Sequence, residues 1–342
     1  MAEKIPATVV TGFLGAGKTS LIQNLLRNAK GKRLALIINE FGEIGVDGEI
    51  VKGCKIEGCP EENIIELANG CICCTVADDF LPTISALLNR PNPPDHIVIE
   101  TSGLALPKPL IKAFNWPEVR TRVTVDGVIA VVDGPAAAAG RFADNPPVPG
   151  AARNGDTALE HDSPLAELFE DQINCADLII INKADQMSSA DHAAAVAAIK
   201  HELKRPTKMI QASFGAIDSK VLLGLDAAAE HDLANRHSHH ELEGEDHDHD
   251  DFESFNLALP RLKSPEDLLR KLIPAIERHD ILRVKGFLDV EGKEMRLVLQ
   301  GVGNRLQHYY DRAWAAAEDR RGRLVVIGLK GLDRSAIEAA LA

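Results

Sequence analysis

Ile5-Pro-Ala-Thr-Val-Val-Thr11 runs directly into Gly12-Phe-Leu-Gly15-Ala16-Gly17-Lys18-Thr19-Ser20, and then into a stretch with Leu21, Leu25 and Leu26 at helical spacing. The first seven residues are β-rich, and the next eight fit G-x-x-x-x-G-K-[ST]. The motif therefore sits between a predicted strand and a predicted helix, the setting a phosphate-binding loop requires. Its glycines let backbone N–H groups close around phosphate oxygens, Lys18 reaches the β- and γ-phosphates, and the Thr19 hydroxyl is placed to ligate Mg²⁺. Gly12, Gly15, Ala16, Gly17, Lys18, Thr19 and Ser20 are thus candidate nucleotide-binding residues, with Lys18 also a catalytic candidate.

Working outward, short apolar runs recur at Leu34 to Ile38, Ile97 to Ile99, Val128 to Val132 and Leu178 to Ile181, separated by segments long enough for crossover helices. Buried strands alternating with helices around the P-loop predict an α/β fold built on a mostly parallel sheet covered on both faces. Asn182-Lys183-Ala184-Asp185 follows one of these strands at the carboxyl edge, where an open α/β sheet binds ligands. The N-K-x-D pattern selects guanine, because the Asp carboxylate accepts from a ring N–H and an exocyclic amine that adenine does not offer. Asn182, Lys183 and Asp185 are the guanine candidates.

His96-Ile-Val-Ile-Glu100-Thr-Ser-Gly103 is a strand ending in an acid, where a P-loop enzyme places a residue near Mg²⁺ and the attacking water. Glu100 is the candidate for that role; the competing reading is a solvated acid at a strand end. Asn39-Glu40-Phe-Gly-Glu43 follows another strand and has the makings of a switch that senses the γ-phosphate.

Five of six cysteines fall between Cys54 and Cys74. Gly70-Cys71-Ile-Cys73-Cys74-Thr75 puts three thiols within four residues, too close for a comfortable internal disulfide and suited to two or three thiolates on one soft cation. Cys71, Cys73 and Cys74 are the candidate ligands; the alternative is that small cysteines pack as apolar groups. Cys54 and Cys59 stand open between completing the site, forming a resolving thiol pair, and having no role. Cys175, at the end of a helical pattern beside a strand, reads as core.

The chain has 342 residues, is 45% hydrophobic and carries a net charge of −13. That is enough for one large or two ordinary domains, and it excludes a disulfide-stapled or disordered chain. No basic block is present to track a phosphate backbone, so nucleic acid is not the expected partner. The acidity is local: eight acids lie between Glu241 and Glu253. The N-terminus lacks a basic n-region and an A-x-A site, and no apolar run approaches the roughly 20 residues of a membrane helix. The expectation is a soluble, cytoplasmic protein without a membrane partner, its thiols reduced.

The expected domains are residues 1–236, the GTPase domain carrying the CxCC site; 237–251, a His- and acid-rich linker or loop; and 252–342, a small C-terminal α+β domain. Residues 237–251 are too polar to bury a core. Their His237, His239, His240, His247 and His249 form an auxiliary tract able to collect Zn²⁺, Co²⁺ or Ni²⁺ loosely, the alternative being a plain solvated loop. Beyond them, Phe252 to Leu259, Asp280 to Asp289, Glu294 to Gln300 and Arg323 to Leu329 read as strands, with helices at Ser264 to Glu277 and Asp333 to Leu341.

The P-loop, Glu100-Thr-Ser-Gly103, Cys71-Ile-Cys73-Cys74, Asn182 to Asp185 and the His-rich stretch before a small C-terminal domain together resemble the CobW family of metal-handling GTPases, across essentially the whole length. GCICCT, IETSGLA and the motif order are specific in combination, while INEFGEIGVDGE and FEDQINCADLIIINKAD look like the cobalamin-biosynthesis branch. The resemblance implies a metallochaperone that binds Mg²⁺ and GTP, loads Co²⁺ or Zn²⁺ onto the thiolates and releases it after hydrolysis. For that branch the implied cargo is Co²⁺ and the implied recipient is the cobalt-inserting chelatase of corrin synthesis. The family places Lys18 and Thr19 at phosphate and Mg²⁺, Glu40 and Glu100 near Mg²⁺ or the attacking water, Cys71 and Cys73 on the cargo, and Asn182 and Asp185 on guanine. Cys54 and Cys59 are not part of its general pattern. Nucleotide- or metal-dependent self-association is compatible with this reading. The rivals are a zinc-specific chaperone of the same family, a regulatory GTPase with a structural zinc knot, and a passive metal store built on the His tract.

Overall fold

The computed structural model describes residues 4–29, 31–39, 63–67, 80–142, 164–236, 252–279, 281–302, 305–315, 318, 320–329 and 331–341. In the first domain these form β1 (Ile5–Thr11), α1 (Lys18–Asn28), β2 (Leu34–Asn39), β3 (Ile64–Leu67), α2 (Leu81–Leu88), β4 (His96–Glu100), α3 (Pro107–Ala113), β5 (Val123–Asp133), α4 (Pro164–Cys175), β6 (Leu178–Asn182), α5 (Ser189–Glu202) and β7 (Lys208–Gln211). The seven strands pair in the order β3-β2-β4-β1-β5-β6-β7, and every pairing is parallel.

The strands are parallel because they are apolar on both faces. All five residues of β4 and all five of β6 are buried, the polar ends included, and helices cover each side. One face packs Val9, Ile37, Ile97 and Ile99 against Phe80, Ile84 and Phe114. The other packs Val10, Ile38 and Ile129 against Leu21, Ile22, Leu25 and Leu26 of α1. Each such side chain is worth about 1.5–3 kcal/mol on burial, so the i, i+4 stripe holds α1 to the sheet although nothing caps it at the N-terminus. Cys175 is buried in the core, as read from its position, and burial pushes its thiol pKa up to about 12.

The second domain contains β8 (Phe252–Leu259), α6 (Pro265–Arg278), β9 (Ile281–Leu288), β10 (Met295–Val302), β11 (Arg305–Ala313), β12 (Gly322–Leu329) and α7 (Arg334–Leu341). Its strands pair antiparallel in the order β11-β10-β9-β12-β8. One face of the sheet buries Val284, Leu297, Leu299, Leu324 and Val326 beneath Leu268, Leu272 and Ile276 of α6 and Ile337 of α7. The opposite face carries Val325 and Ile327 into one core with Phe13, Leu14, Leu104 and Leu106 of the first domain.

Three strands escape the sequence reading. β3 and β7 are four-residue edge strands, and β11 is polar along its length, Arg-Leu-Gln-His-Tyr-Tyr-Asp-Arg-Ala. In the second domain Phe287 is buried with Val298 and Trp314 packs against that pair, whereas Tyr309 is 44% exposed. Among the described residues no helix is long and apolar enough to cross a membrane.

Candidate functional site: a nucleotide cleft between P-loop and N-K-x-D

The strand order brings the loops after β1, β4, β5, β6 and β7 to one edge of the parallel sheet. A cavity of about 350 Å³ opens there, lined by Gly15, Gly17, Lys18, Thr19 and Ser20 on the P-loop side and by Asn182, Lys183 and Asp185 on the other. Residues 162 or more positions apart in sequence thus share one cleft because parallel strands all end on the same side. Gly12 and Ala16 lie beneath this lining. A Cβ on Gly12, which has φ +134°, would collide with Val131 O, so the loop reaches its curvature only with glycine there.

Helix α1 starts at Lys18 with Gly17 as N-cap in the left-handed region and no side chain capping it. Its first N–H groups are left for a ligand, and the positive end of the helix dipole favours an anion. Lys18 is buried, its Nζ donating to Gly12 O at 2.7 Å and to Phe13 O at 3.3 Å. The Thr19 hydroxyl donates to Glu100 Oε1 at 3.0 Å, and Glu100 itself is 3% exposed. A hydroxyl and a carboxylate oxygen in contact at the foot of a phosphate loop are hard oxygen donors, the set that suits Mg²⁺ and not a thiophilic ion.

The Glu100 loop is sewn in place. Thr101 N donates to Val10 O at 2.9 Å and Thr101 Oγ1 to Thr11 Oγ1 at 3.1 Å. Gln172 of α4 donates to Gly103 O and Ala105 O, both at 3.2 Å. Gly103 lies so close to Leu14 that a Cβ would strike the P-loop backbone. Movement in either loop is therefore felt by the other.

On the N-K-x-D side, Asn182 is a structural strut. Its Nδ2 donates to Ala16 O at 2.9 Å and its Oδ1 accepts from Gly215 N at 3.0 Å. Lys183, with φ 61°, pairs with Asp133 at the end of β5. Asp185 is exposed on the cavity wall, free to face a purine edge.

Several lining residues went unread in the sequence. Asp133 closes the apolar run of β5 and is recoverable as an acid at a carboxyl strand end. Phe214 follows β7 on Ala212-Ser213-Phe214-Gly215; it is 71% exposed on the cavity wall, where an aromatic ring offers a stacking face to a base. Asn24 Nδ2 donates to Phe214 O at 2.7 Å, which fixes that loop to α1. Arg283, Gln300 and Gln307 come from the second domain, and no local pattern marks them.

Glu40, Cys54, Cys59, Cys71, Cys73, Cys74, His237, His239, His240, His247 and His249 lie outside the described residues. Among the described residues no group of three or more His, Cys, Asp or Glu gathers in a manner able to hold an ion.

Residues 6–211 match the family described as CobW/HypB/UreG, nucleotide-binding domain, and residues 252–342 match the family described as Cobalamin synthesis protein cobW C-terminal domain. The chain is similar to the zinc chaperone CobW of a Sinorhizobium species, 57% identical over 341 residues that cover 99% of this chain and 96% of the relative. It is likewise similar to the zinc chaperone CobW of Pseudomonas aeruginosa, 54% identical with 98% of this chain and 90% of the relative covered. Among solved structures, the Zn(II)-bound YjiA GTPase from E. coli aligns with 99% of this chain and 98% of its own at 25% identity and a TM-score of 0.43. With both its domains matched, and with a P-loop and an N-K-x-D segment facing each other across one cleft, the chain belongs to the CobW family of GTPase metallochaperones.

Proposed function

We propose that this chain is a GTP-gated carrier of a thiophilic divalent cation, loading its cargo on Cys71, Cys73 and Cys74 in the GTP state and releasing it after hydrolysis. The observation that supports this most directly is the Thr19–Glu100 contact at the foot of the P-loop. It gives the nucleotide site its own hard-oxygen cation position, separate in chemistry from a thiolate cargo site.

In this account Thr19 and Glu100 would hold Mg²⁺, and Glu40 is assigned the same role by the family resemblance alone. Held by those side chains, the ion would supply neutralisation of the negative charge on the phosphates. Lys18 turns from the Gly12 and Phe13 carbonyls to the phosphates, and Glu100 orients the attacking water. Asp185 reads guanine, and Phe214 stacks on it. The segment beginning at Glu40 carries nucleotide state to the thiols: order imposed by the γ-phosphate positions the thiolates, and loss of that order weakens the metal site. Linkage makes the effect reciprocal, so cargo tightens GTP as GTP tightens cargo.

For the cargo, the names of the two full-length relatives support Zn²⁺, which thiolates also hold more tightly than Co²⁺. A second reading, Co²⁺ for the cobalt-inserting chelatase of corrin synthesis, is favoured by the description of the C-terminal family. The His tract serves as low-affinity capture on either reading. The test is a buffered competition between Zn²⁺ and Co²⁺ with Mg²⁺ and a non-hydrolysable GTP analogue, on the full chain, on Cys71→Ser/Cys73→Ser and on a deletion of residues 237–251. Tight binding that survives the deletion and disappears in the double variant supports the carrier. Tight binding lost with residues 237–251 indicates a passive store instead.

A further inference from the structure

The second domain does more than follow the first; one face of its sheet is turned towards the nucleotide cleft. Strand alternation places Arg283, Lys285 and Phe287 of β9 on that face. Register puts Gln300 and Val325 beside Lys285, and Ile327 beside Arg283. Gln307 of β11 is opposite Gln300. Val325 and Ile327 are fully buried against the cluster that includes Leu14 of the P-loop and Leu104 of the loop after Glu100. Arg283, Gln300 and Gln307 line the same cavity as Gly15, Lys18, Thr19 and Glu100.

We infer that Arg283 is a nucleotide-binding residue supplied by the C-terminal domain, contacting the terminal phosphate of bound GTP with Gln300 and Gln307 as neutral donors beside it.

The chemistry of the face favours this assignment. Arg283 lines the cavity, and a guanidinium presents a fork of N–H donors that matches two phosphate oxygens at once. Its neighbour Lys285 is fully buried, and burial together with the charge of Lys18 holds its pKa well below the ordinary lysine range. The apolar contacts of the same sheet face reach the loop after Glu100, the part of the first domain nearest the reacting phosphate. GTP would thus span both domains, and losing the terminal phosphate would remove one of the ties between them.

This inference rests on the nucleotide-site assignment, and the test separates the two. Affinities of the full chain for a fluorescent non-hydrolysable GTP analogue and for fluorescent GDP are measured with Mg²⁺, for wild type, Arg283→Ala and Arg283→Lys, with thermal unfolding of each as the control for folding. The expected result is a loss of tenfold or more in affinity for the GTP analogue in Arg283→Ala, GDP affinity within twofold of wild type, partial recovery in Arg283→Lys, and unchanged unfolding. An equal loss for both nucleotides, or no loss for either, overturns the contact with the terminal phosphate. Failure of wild type to bind either nucleotide would overturn the nucleotide site itself. If Arg283→Ala unfolds at lower temperature, the comparison rests on Arg283→Lys, in which the GTP-to-GDP preference must still fall; an unchanged preference there overturns the inference.

Discussion

Thr19 and Glu100, 81 residues apart, meet through a 3.0 Å hydrogen bond from the Thr hydroxyl to the Glu carboxylate. They meet because β1 and β4 are parallel neighbours, Val10 being paired with Glu100, so the residues following one strand lie beside the end of the other. Thr19→Ala and Glu100→Gln are each expected to lower the GTP hydrolysis rate on the order of 100-fold, the usual cost of losing a ligand or a proton acceptor at such a centre. Raising Mg²⁺ should rescue Thr19→Ala in part and Glu100→Gln little. Steady-state phosphate release as a function of Mg²⁺ checks both.

Asp185 faces the cavity from the turn after β6. Asp185→Asn replaces a double acceptor by a group that also donates, so GTP should bind roughly 10- to 100-fold more weakly while xanthosine triphosphate binds better. Displacement of a fluorescent guanine nucleotide by GTP, ATP and xanthosine triphosphate reads this out. ATP should compete poorly in both proteins.

Asn182→Ala removes two buried hydrogen bonds at once, to Ala16 O and from Gly215 N. The expected loss of stability is about 2–3 kcal/mol, from two buried bonds of ordinary strength. Nucleotide should restore part of it by binding the folded form. Denaturant unfolding with and without GTP analogue measures both.

At the opposite end of the sheet, His96 is buried, its Nε2 2.8 Å from Thr8 Oγ1. Burial lowers its pKa to about 4, against the smaller opposing pull of Asp126. A depressed pKa means that the folded protein favours the neutral ring. Stability from this residue is therefore complete above about pH 6.5 and declines as pH falls towards 4, by roughly 3 kcal/mol in all. His96→Gln should flatten this part of the stability profile, measured by denaturant titration at successive pH values.

The parts of the fold legible in sequence were those with strong local signals. Ile5–Thr11 and the P-loop pair β-branched residues with fixed glycines, and the central strands are apolar on both faces. β7, Lys-Met-Ile-Gln, is an edge strand with exposed ends, and β11 turns only Leu306 and Tyr310 to the core among polar residues, so neither offers a strong apolar period. The nucleotide motifs were readable because backbone geometry demands particular residues at fixed spacing. Phe214 and Arg283 were not, since one is a lone aromatic in a loop and the other a cation in a strand. Only the parallel sheet edge and the packing of the second domain bring them to the cavity.

The central claim is that nucleotide state sets the affinity of the thiolate site. Co²⁺ titration followed by absorption tests it most directly, with the full chain in Mg²⁺ plus non-hydrolysable GTP analogue, in Mg²⁺ plus GDP and without nucleotide, and with Cys71→Ser/Cys73→Ser in parallel. The account predicts intense thiolate charge-transfer and tetrahedral d–d bands only with the GTP analogue, absent from the double variant. Equal bands in all three nucleotide states would contradict gating and indicate a GTPase whose thiols hold a structural ion.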